Sequence, residues 1–114
     1  MRLEVQRDDD LCTLQLAGRL TLGDGDVELS REFRAQLGWG QRRFVLDLRQ
    51  LGQLDSAGVG ELVACAKRAG DVGGVVKVAL GAEGQVRRVF ALSGLDRVFE
   101  LYDDRDRAAA SFAR

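Results

Sequence analysis

The chain has 114 residues, of which 46% are hydrophobic and 31% are charged, a balance typical of one folded domain. Its 17 basic and 18 acidic residues nearly cancel, which argues against direct nucleic-acid binding through a strong positive field. No histidine is present, so the Ser-His-Asp and Cys-His pairs of nucleophilic enzymes cannot be built. We therefore expect a domain that is not an enzyme and that needs neither a metal nor a cofactor.

Cysteine usage and hydropathy predict a cytoplasmic domain. Cys12 and Cys65 are too few for a four-thiolate metal site, and we interpret both as small core residues rather than as a disulfide. No apolar run approaches the roughly 20 residues that span a bilayer, so membrane insertion is not expected. Met1 leads into charged residues rather than into the apolar stretch of a signal peptide.

The first segment predicts a β-hairpin. Apolar residues alternate with polar ones at Leu3 and Val5, and again over residues 11–16. The acidic residues Asp8, Asp9 and Asp10 lie between these two stretches, as expected for a solvated turn. The sequence Gly18-Arg19-Leu20-Thr21-Leu22 then leads into a polar loop over residues 23–26, which offers two helix caps.

A helix and a buried strand follow this loop. The helix is indicated by three apolar residues that recur every four positions, Leu29, Phe33 and Leu37, and Gly38 is expected to end it. Residues 44–48 form a short apolar run, which is typical of a central strand covered on both faces. A loop from Arg49 to Leu54 is predicted to connect this strand to the next helix.

The second half of the chain alternates in the same way. A helix begins near Ser56 or Gly58 and ends at Gly70, and its inward face is predicted to carry Val59, Leu62, Val63, Ala66 and Ala69. Residues 75–80 predict another buried strand, and residues 86–93 a third helix that closes around Ser93-Gly94. Residues 98–102 predict an edge strand, and Asp103 or Asp104 is expected to cap a last helix.

This order predicts an α/β fold. Strands that alternate with helices require crossovers, so the sheet should be mixed and largely parallel, with the N-terminal hairpin as its antiparallel part. We expect about four helices to cover it in a single domain over residues 1–114. The predicted core includes seven residues of the central strands and covering helices: Phe44, Leu46, Leu62, Val63, Val76, Val78 and Phe90.

The segment that carries chemistry is Asp55-Ser56-Ala57-Gly58, where a buried strand gives way to a helix. In a structural interpretation Ser56 is the helix N-cap, and Asp55 favours the helix dipole. In a functional interpretation the Ser56 hydroxyl is exposed, and a phosphate placed there meets unpaired N–H groups and the positive end of the dipole. Gly58 and Gly60 would keep side chains away from an approaching molecule. The spacing alone leaves both interpretations open.

The chain resembles a STAS domain, the fold of bacterial anti-sigma factor antagonists. The resemblance rests on segments that span nearly all of the chain: Gly18-Arg19-Leu20, Val45-Leu46-Asp47-Leu48, Asp55-Ser56-Ala57-Gly58 and Phe90-Ala91-Leu92-Ser93-Gly94-Leu95 with Phe99. It implies that Ser56 is the residue phosphorylated by a partner kinase, which is itself the anti-sigma factor. Two positions depart from the family pattern, because Thr21 stands where an aspartate is frequent and Ala57 where a second hydroxyl residue is frequent.

The resemblance implies a phosphorylation switch. The unphosphorylated protein would bind the anti-sigma factor, which then releases its sigma factor, while phosphorylation of Ser56 would end binding and a serine phosphatase would restore it. The expected partner-binding residues are Gly18, Leu20, Thr21, Asp55, Ala57 and Gly58. A bulky residue at Gly58 is expected to weaken the complex while leaving the fold intact.

Ser56 is predicted to be the sole regulatory phosphosite. The other three serines, Ser30, Ser93 and Ser111, lie within or at the end of predicted helices, where a hydroxyl is solvated or bonded back to the helix.

Two alternatives come from other classes of function. The first alternative is that the chain is a STAS scaffold subunit, either of a stress-signalling complex or of a lipid-transport system. The other is an enzyme with an activated Ser56, for which the sequence offers no evident general base.

Overall fold

A computed structural model describes residues 1–112 of the chain. Within this range the five strands are β1 (Arg2–Asp8), β2 (Leu11–Leu20), β3 (Arg43–Leu54), β4 (Val75–Ala79) and β5 (Leu101–Tyr102). The five helices of the same range are α1 (Asp26–Gly38), α2 (Ser56–Asp71), α3 (Gln85–Ser93), α4 (Leu95–Val98) and α5 (Arg105–Ala110). No helix of the described part is long and apolar enough to cross a membrane.

The strands form one mixed sheet in the order β1-β2-β3-β4-β5. β1 and β2 are antiparallel, as the hairpin pattern predicts, and the tight turn between them places Asp9 at a φ of 56°. The pairs β2–β3, β3–β4 and β4–β5 are all parallel. The predicted α/β fold with an antiparallel N-terminal hairpin is therefore confirmed.

The main core lies on one face of the sheet, which we call the inner face. Side chains of β2, β3 and β4 meet there with α1, α2, α3 and α4, and most of these residues are fully buried. Phe33 of α1 packs on Phe44 of β3 with ring centroids 4.5 Å apart, and Phe90 of α3 lies 6.4 Å from Phe99. Burial of this apolar surface is the main stabilising contribution to the fold.

The opposite, outer face of the sheet is covered by α5. Ala108 packs there on Val45 and Ala79, and all three residues are fully buried. Lys77 also lies on this side, where its Nζ donates a hydrogen bond of 2.8 Å to Ser111 Oγ and lies 4.3 Å from the ring centre of Phe112. Asp104 caps α5 by accepting a hydrogen bond from the Arg107 N–H.

Several predicted boundaries are wrong. The predicted loop from Arg49 to Leu54 is the second half of β3, and the register between β2 and β3 shifts twice along it. Each shift is a β-bulge that places one extra residue in β3 and breaks the alternation by which strands are recognised. The predicted edge strand is reduced to Leu101–Tyr102, since α4 takes up the residues before Phe99 and raises the helix number to five in the described range.

Val63 is the one wrong member of the predicted core. Its side chain is 40% exposed, whereas Phe44, Leu46, Val78, Leu62 and Phe90 are fully buried and Val76 is 9% exposed. The buried residues of α2 are Gly58, Leu62, Cys65 and Ala69. They form a narrow stripe on the helix face that packs against the sheet. Val63 lies beside this stripe rather than on it, because α2 packs on the sheet through Gly58.

Candidate functional site

The site lies at the edge of the sheet where β2 and β3 end. Both strands run in the same direction, and their last residues, Leu20 and Leu54, are register partners. The segments that follow them therefore leave the sheet side by side, as is typical of ligand and partner sites in open α/β sheets. Asp55 N–H donates a weak, 3.4 Å hydrogen bond to the Leu20 carbonyl, so the two segments stay in contact beyond the strands.

Asp55 is the N-cap of α2. Its backbone is extended, and its Oδ1 accepts a hydrogen bond of 2.9 Å from the Gly58 N–H. Its Oδ2 accepts another, of 3.0 Å, from the Leu22 N–H. These two hydrogen bonds hold the pKa of Asp55 below its usual range, and the bond from Leu22 has the larger effect. The carboxylate is therefore ionised at neutral pH. One side chain thus joins the loop after β2 to the start of α2.

Ser56 is the first residue of α2, and its side chain is exposed. The structural interpretation, in which Ser56 caps the helix, is wrong, because Asp55 performs that role. The Ser56 hydroxyl makes no hydrogen bond to any residue between positions 1 and 112. By contrast, Ser93 Oγ donates to the Val89 carbonyl and Ser111 Oγ to the Ala108 carbonyl, each at 2.6 Å.

Gly58 is buried and serves packing rather than access. A Cβ at this position would collide with the Leu20 carbonyl oxygen and would lie 2.5 Å from Leu54 Cδ1. The expectation that Gly58 tolerates a bulky residue with the fold intact is therefore wrong. Gly60, two residues further along α2, is exposed, and a Cβ there would meet nothing within 4 Å.

The remaining predicted partner-binding residues differ in how closely they approach the site. Thr21 and Ala57 are half-buried next to Asp55 and Ser56, and Thr21 exchanges two backbone hydrogen bonds with Asp24. The side chain of Leu20 is fully buried in the main core, so only its backbone lies at the site. Gly18 is exposed with a φ of +95°, but it lies within β2 opposite Leu51, before the end of the strand.

Asp24 holds the loop between β2 and α1 in place. Its Oδ1 accepts a hydrogen bond of 2.7 Å from the Met1 amino group. This bond lowers the pKa of Asp24. Leu22, at the tip of the same loop, is 78% exposed. The sequence showed a polar loop with helix caps, and no local signal pointed to the contact with Met1.

An apolar groove of about 370 Å³ opens beside Ser56, between α2 and α3. Val59 of α2 forms one wall and Val89 and Leu92 of α3 the other, with Leu54, Asp55, Ser56 and Ser93 completing the lining. Leu92 is 88% exposed, an unusual position for a leucine on an otherwise amphipathic helix. Sequence reasoning missed this groove because its two walls come from helices that are far apart along the chain.

Family comparison gives the class of protein that this fold and site define. The family model described as "Mlab, STAS domain" matches residues 3–102. The chain therefore belongs to the STAS domain family. The resemblance inferred from the sequence is confirmed.

Three relatives show how far the similarity extends. BtrV of Bordetella bronchiseptica, named as an anti-sigma factor antagonist, is 33% identical over 112 residues, which cover 98% of this chain and 95% of BtrV. A structure from Thermotoga maritima, named likewise, is 25% identical with a TM-score of 0.84, covering 98% and 95% of the two chains. The Bacillus cell fate determinant SpoIIAA, solved in its phosphorylated form, is 19% identical with a TM-score of 0.74, covering 99% and 100%.

Proposed function

We propose that this chain is an anti-sigma factor antagonist whose activity is set by the phosphorylation of Ser56. In its unphosphorylated form it binds an anti-sigma factor that is also a serine kinase, and this binding releases a sigma factor. Membership of the STAS family and the names of the relatives support this role. Binding of the anti-sigma factor and release of the sigma factor take place in the cytoplasm. The kinase, rather than this chain, supplies the catalytic groups for phosphorylation.

The observation that carries the proposal is that Asp55, rather than Ser56, caps α2. Because the carboxylate of Asp55 caps α2, the hydroxyl of Ser56 is left exposed at the start of a 16-residue helix. A kinase can then reach the hydroxyl without unwinding the helix. A serine that capped the helix itself would have to give up its hydrogen bond first.

Phosphorylation changes the charge of this surface strongly. A phosphoserine adds about 1.5 to 2 negative charges. At Ser56 these charges would lie next to the ionised Asp55 and at the mouth of the apolar groove. Burying such a charge unpaired in an interface costs about 2–5 kcal/mol, which weakens binding by roughly 30-fold to several thousandfold. The exposed position also leaves the phosphate accessible to a serine phosphatase, which resets the switch.

The experiment has two stages. The unmodified chain, Ser56→Ala and Ser56→Asp are first used as baits in a lysate of the source organism, and captured proteins are identified by mass spectrometry. We expect the unmodified chain and Ser56→Ala to retain a serine kinase of the anti-sigma type, and Ser56→Asp to retain much less. The purified kinase is then incubated with the chain and ATP, and phosphopeptides are mapped.

Ser93→Ala is the matched control, because Ser93 lines the same groove but its hydroxyl is bonded to the Val89 carbonyl. It should be phosphorylated and released like the unmodified chain. Phosphate at another residue, or a Ser56→Ala variant still released by ATP, would contradict the proposed switch. Capture of transport-complex subunits by all baits, regardless of ATP, would favour the scaffold alternative instead.

A further inference from the structure

The last part of β3 lacks a neighbouring strand on one side. β3 continues to Leu54, but its pairing with β4 ends where Asp47 meets Ala79. On its other side, β3 stays paired with β2 as far as the Leu20–Leu54 pair. The backbone groups of β3 that point towards β4 beyond Asp47 therefore need partners other than a strand.

Gln85, the first residue of α3, supplies such a partner for Leu54. Its Oε1 accepts a hydrogen bond of 2.9 Å from the Leu54 N–H, and its Nε2 donates one of 3.0 Å to the Leu54 carbonyl. The carboxamide carries one acceptor and one donor, so it satisfies both backbone groups of Leu54 that a continued β4 would otherwise have paired. No other side chain of residues 1–112 makes this pair of bonds with one residue of β3.

These bonds reach the phosphoacceptor through two peptide units. Leu54 immediately precedes Asp55, whose carboxylate contacts Leu22 N–H on the β2 side and Gly58 N–H inside α2. The start of α2 is thus held from both sides, by Asp55 towards β2 and by Gln85 towards α3. We infer that Gln85 is a positioning residue for Ser56, an assignment that rests on the proposed function for its biological meaning.

The first test removes the carboxamide. Gln85→Leu shortens the side chain by one bond, keeps its apolar stem and deletes both hydrogen bonds. Arg42→Leu is the matched control, because the Arg42 side chain also makes two hydrogen bonds to the backbone, donating to the carbonyls of Leu37 and Gln41 at the opposite end of β3. Amide hydrogen exchange is measured by NMR in both variants and in the unmodified chain.

We expect Gln85→Leu to accelerate exchange at Leu54 by about tenfold, and at Leu22 and Gly58 by about three- to tenfold, the loss expected for weakened hydrogen bonds. Arg42→Leu should leave these three amides unchanged. Faster exchange at Leu54 alone, with Leu22 and Gly58 as in the unmodified chain, would overturn the assignment, because Gln85 would then hold only its direct partner.

The second test restores the bonds by protonation. Gln85→Glu cannot donate to the Leu54 carbonyl while ionised, but a protonated glutamic acid carries the same donor and acceptor as glutamine. We expect the amide shifts of residues 54–58 in Gln85→Glu to return to those of the unmodified chain as the pH falls through the pKa of the introduced carboxyl group, ordinarily about 4.3. The unmodified chain, titrated in parallel, gives the shift changes that arise from the carboxyl groups already present. Shifts that stay displaced at low pH would contradict the assignment.

A third measurement links position to function. With the serine kinase obtained above, Gln85→Leu should show a KM for phosphorylation of Ser56 raised about three- to tenfold, whereas Arg42→Leu should match the unmodified chain. An unchanged KM in Gln85→Leu would overturn the positioning role. If the unmodified chain itself is not phosphorylated, the proposed function fails, and the exchange and titration experiments still decide whether Gln85 fixes the start of α2.

Discussion

The two halves of β3 differ in almost every physical respect. Residues 44–48 are all buried and are covered by helices on both faces, and residues 44–47 are paired with β2 on one side and with β4 on the other. Residues 49–54 are paired with β2 alone, contain two bulges and bury only Leu51 and Leu54. The first half fills the core, and the second half carries the chain to Ser56.

This difference separates stability from function within one strand. A strand half that is packed on both faces tolerates little change, because protein interiors are close-packed and the loss of even one methylene group lowers the free energy of unfolding. A strand half with bulges and an open edge can bend and direct a following residue outwards, and bulges are frequent next to functional sites. Substitutions along β3 and just beyond it should therefore have progressively smaller effects on unfolding and larger effects on binding.

The largest loss of stability is expected in the first half of β3. Leu46→Ala removes a fully buried side chain from the inner face and should lower the free energy of unfolding by about 2–5 kcal/mol. Urea denaturation followed by circular dichroism measures this value. Gln50→Ala, on the exposed part of the second half, is the control and should stay within about 0.5 kcal/mol. A loss below about 1 kcal/mol for Leu46→Ala would refute the contrast.

A smaller loss is expected at the first turn of α2. Gly58→Ala forces a methyl group against the Leu20 carbonyl and Leu54, and such overpacking costs about 1–3 kcal/mol. Gly60→Ala is the matched control, because its Cβ meets nothing and alanine favours the helix by up to about 1 kcal/mol. Opposite shifts of the urea midpoint are expected. If Gly58→Ala were as stable as Gly60→Ala, the close approach of α2 to β2 would be disproved.

Acid should destabilise the first half of β3 through Asp47 and the start of α2 through Asp55. Burial disfavours the ionised form of Asp47, but hydrogen bonds from Arg49 outweigh it and lower the pKa, and backbone N–H bonds lower that of Asp55. A pKa lowered by folding stabilises the native state above the ordinary value of about 3.9, and this contribution is lost as the pH falls through the folded-state pKa.

The pH dependence is measured as the difference in the free energy of unfolding between pH 7 and pH 3. We expect the unmodified chain to lose more than Asp47→Asn or Asp55→Asn, since each variant lacks one of the carboxylates that must be protonated. An equal loss in all three proteins would show that neither carboxylate contributes to the acid sensitivity.

The smallest effect on stability is expected at Ser56. Because its hydroxyl is exposed and unbonded within residues 1–112, Ser56→Ala should change the free energy of unfolding by less than about 0.5 kcal/mol. Under the proposed function, calorimetric titration with the captured kinase should nevertheless show that Ser56→Ala binds in the presence of ATP, whereas the unmodified chain is released. A destabilisation above about 1 kcal/mol would reveal a structural role for the hydroxyl.

The contrast within β3 also explains what the sequence can predict. The first half has a local signature, an unbroken apolar run, and this run correctly predicts the burial of Phe44 and Leu46. The second half has the sequence pattern of a loop, because two bulges replace alternation by burial at every third residue, Leu51 and Leu54. Patterns of period two cannot detect a strand whose register changes twice.

The candidate site is predictable in part for a similar reason. Ser56 and Asp55 are neighbours in sequence, so the strand-to-helix junction and the family resemblance identify them together. The cap is a local bond from Gly58 N–H to Asp55, but the second hydrogen bond of Asp55 and the burial of Gly58 are not predictable. They depend on Leu22 and Leu20, which parallel pairing brings from another segment. The contact between Gln85 and Leu54 joins residues 31 positions apart and has no local signal at all.

The covering of the outer face by α5 has a consequence for synthesis of the protein. Val45 and Ala79 leave the ribosome well before Ala108, and Arg105 must also reach Gln6, 99 positions earlier, to form its hydrogen bond. At about 5–20 residues per second, the roughly 30 residues between β4 and the end of α5 take about 1.5 to 6 seconds to appear. We expect the nascent sheet to expose an apolar outer face during this interval, which makes it a client for chaperones near the ribosomal exit.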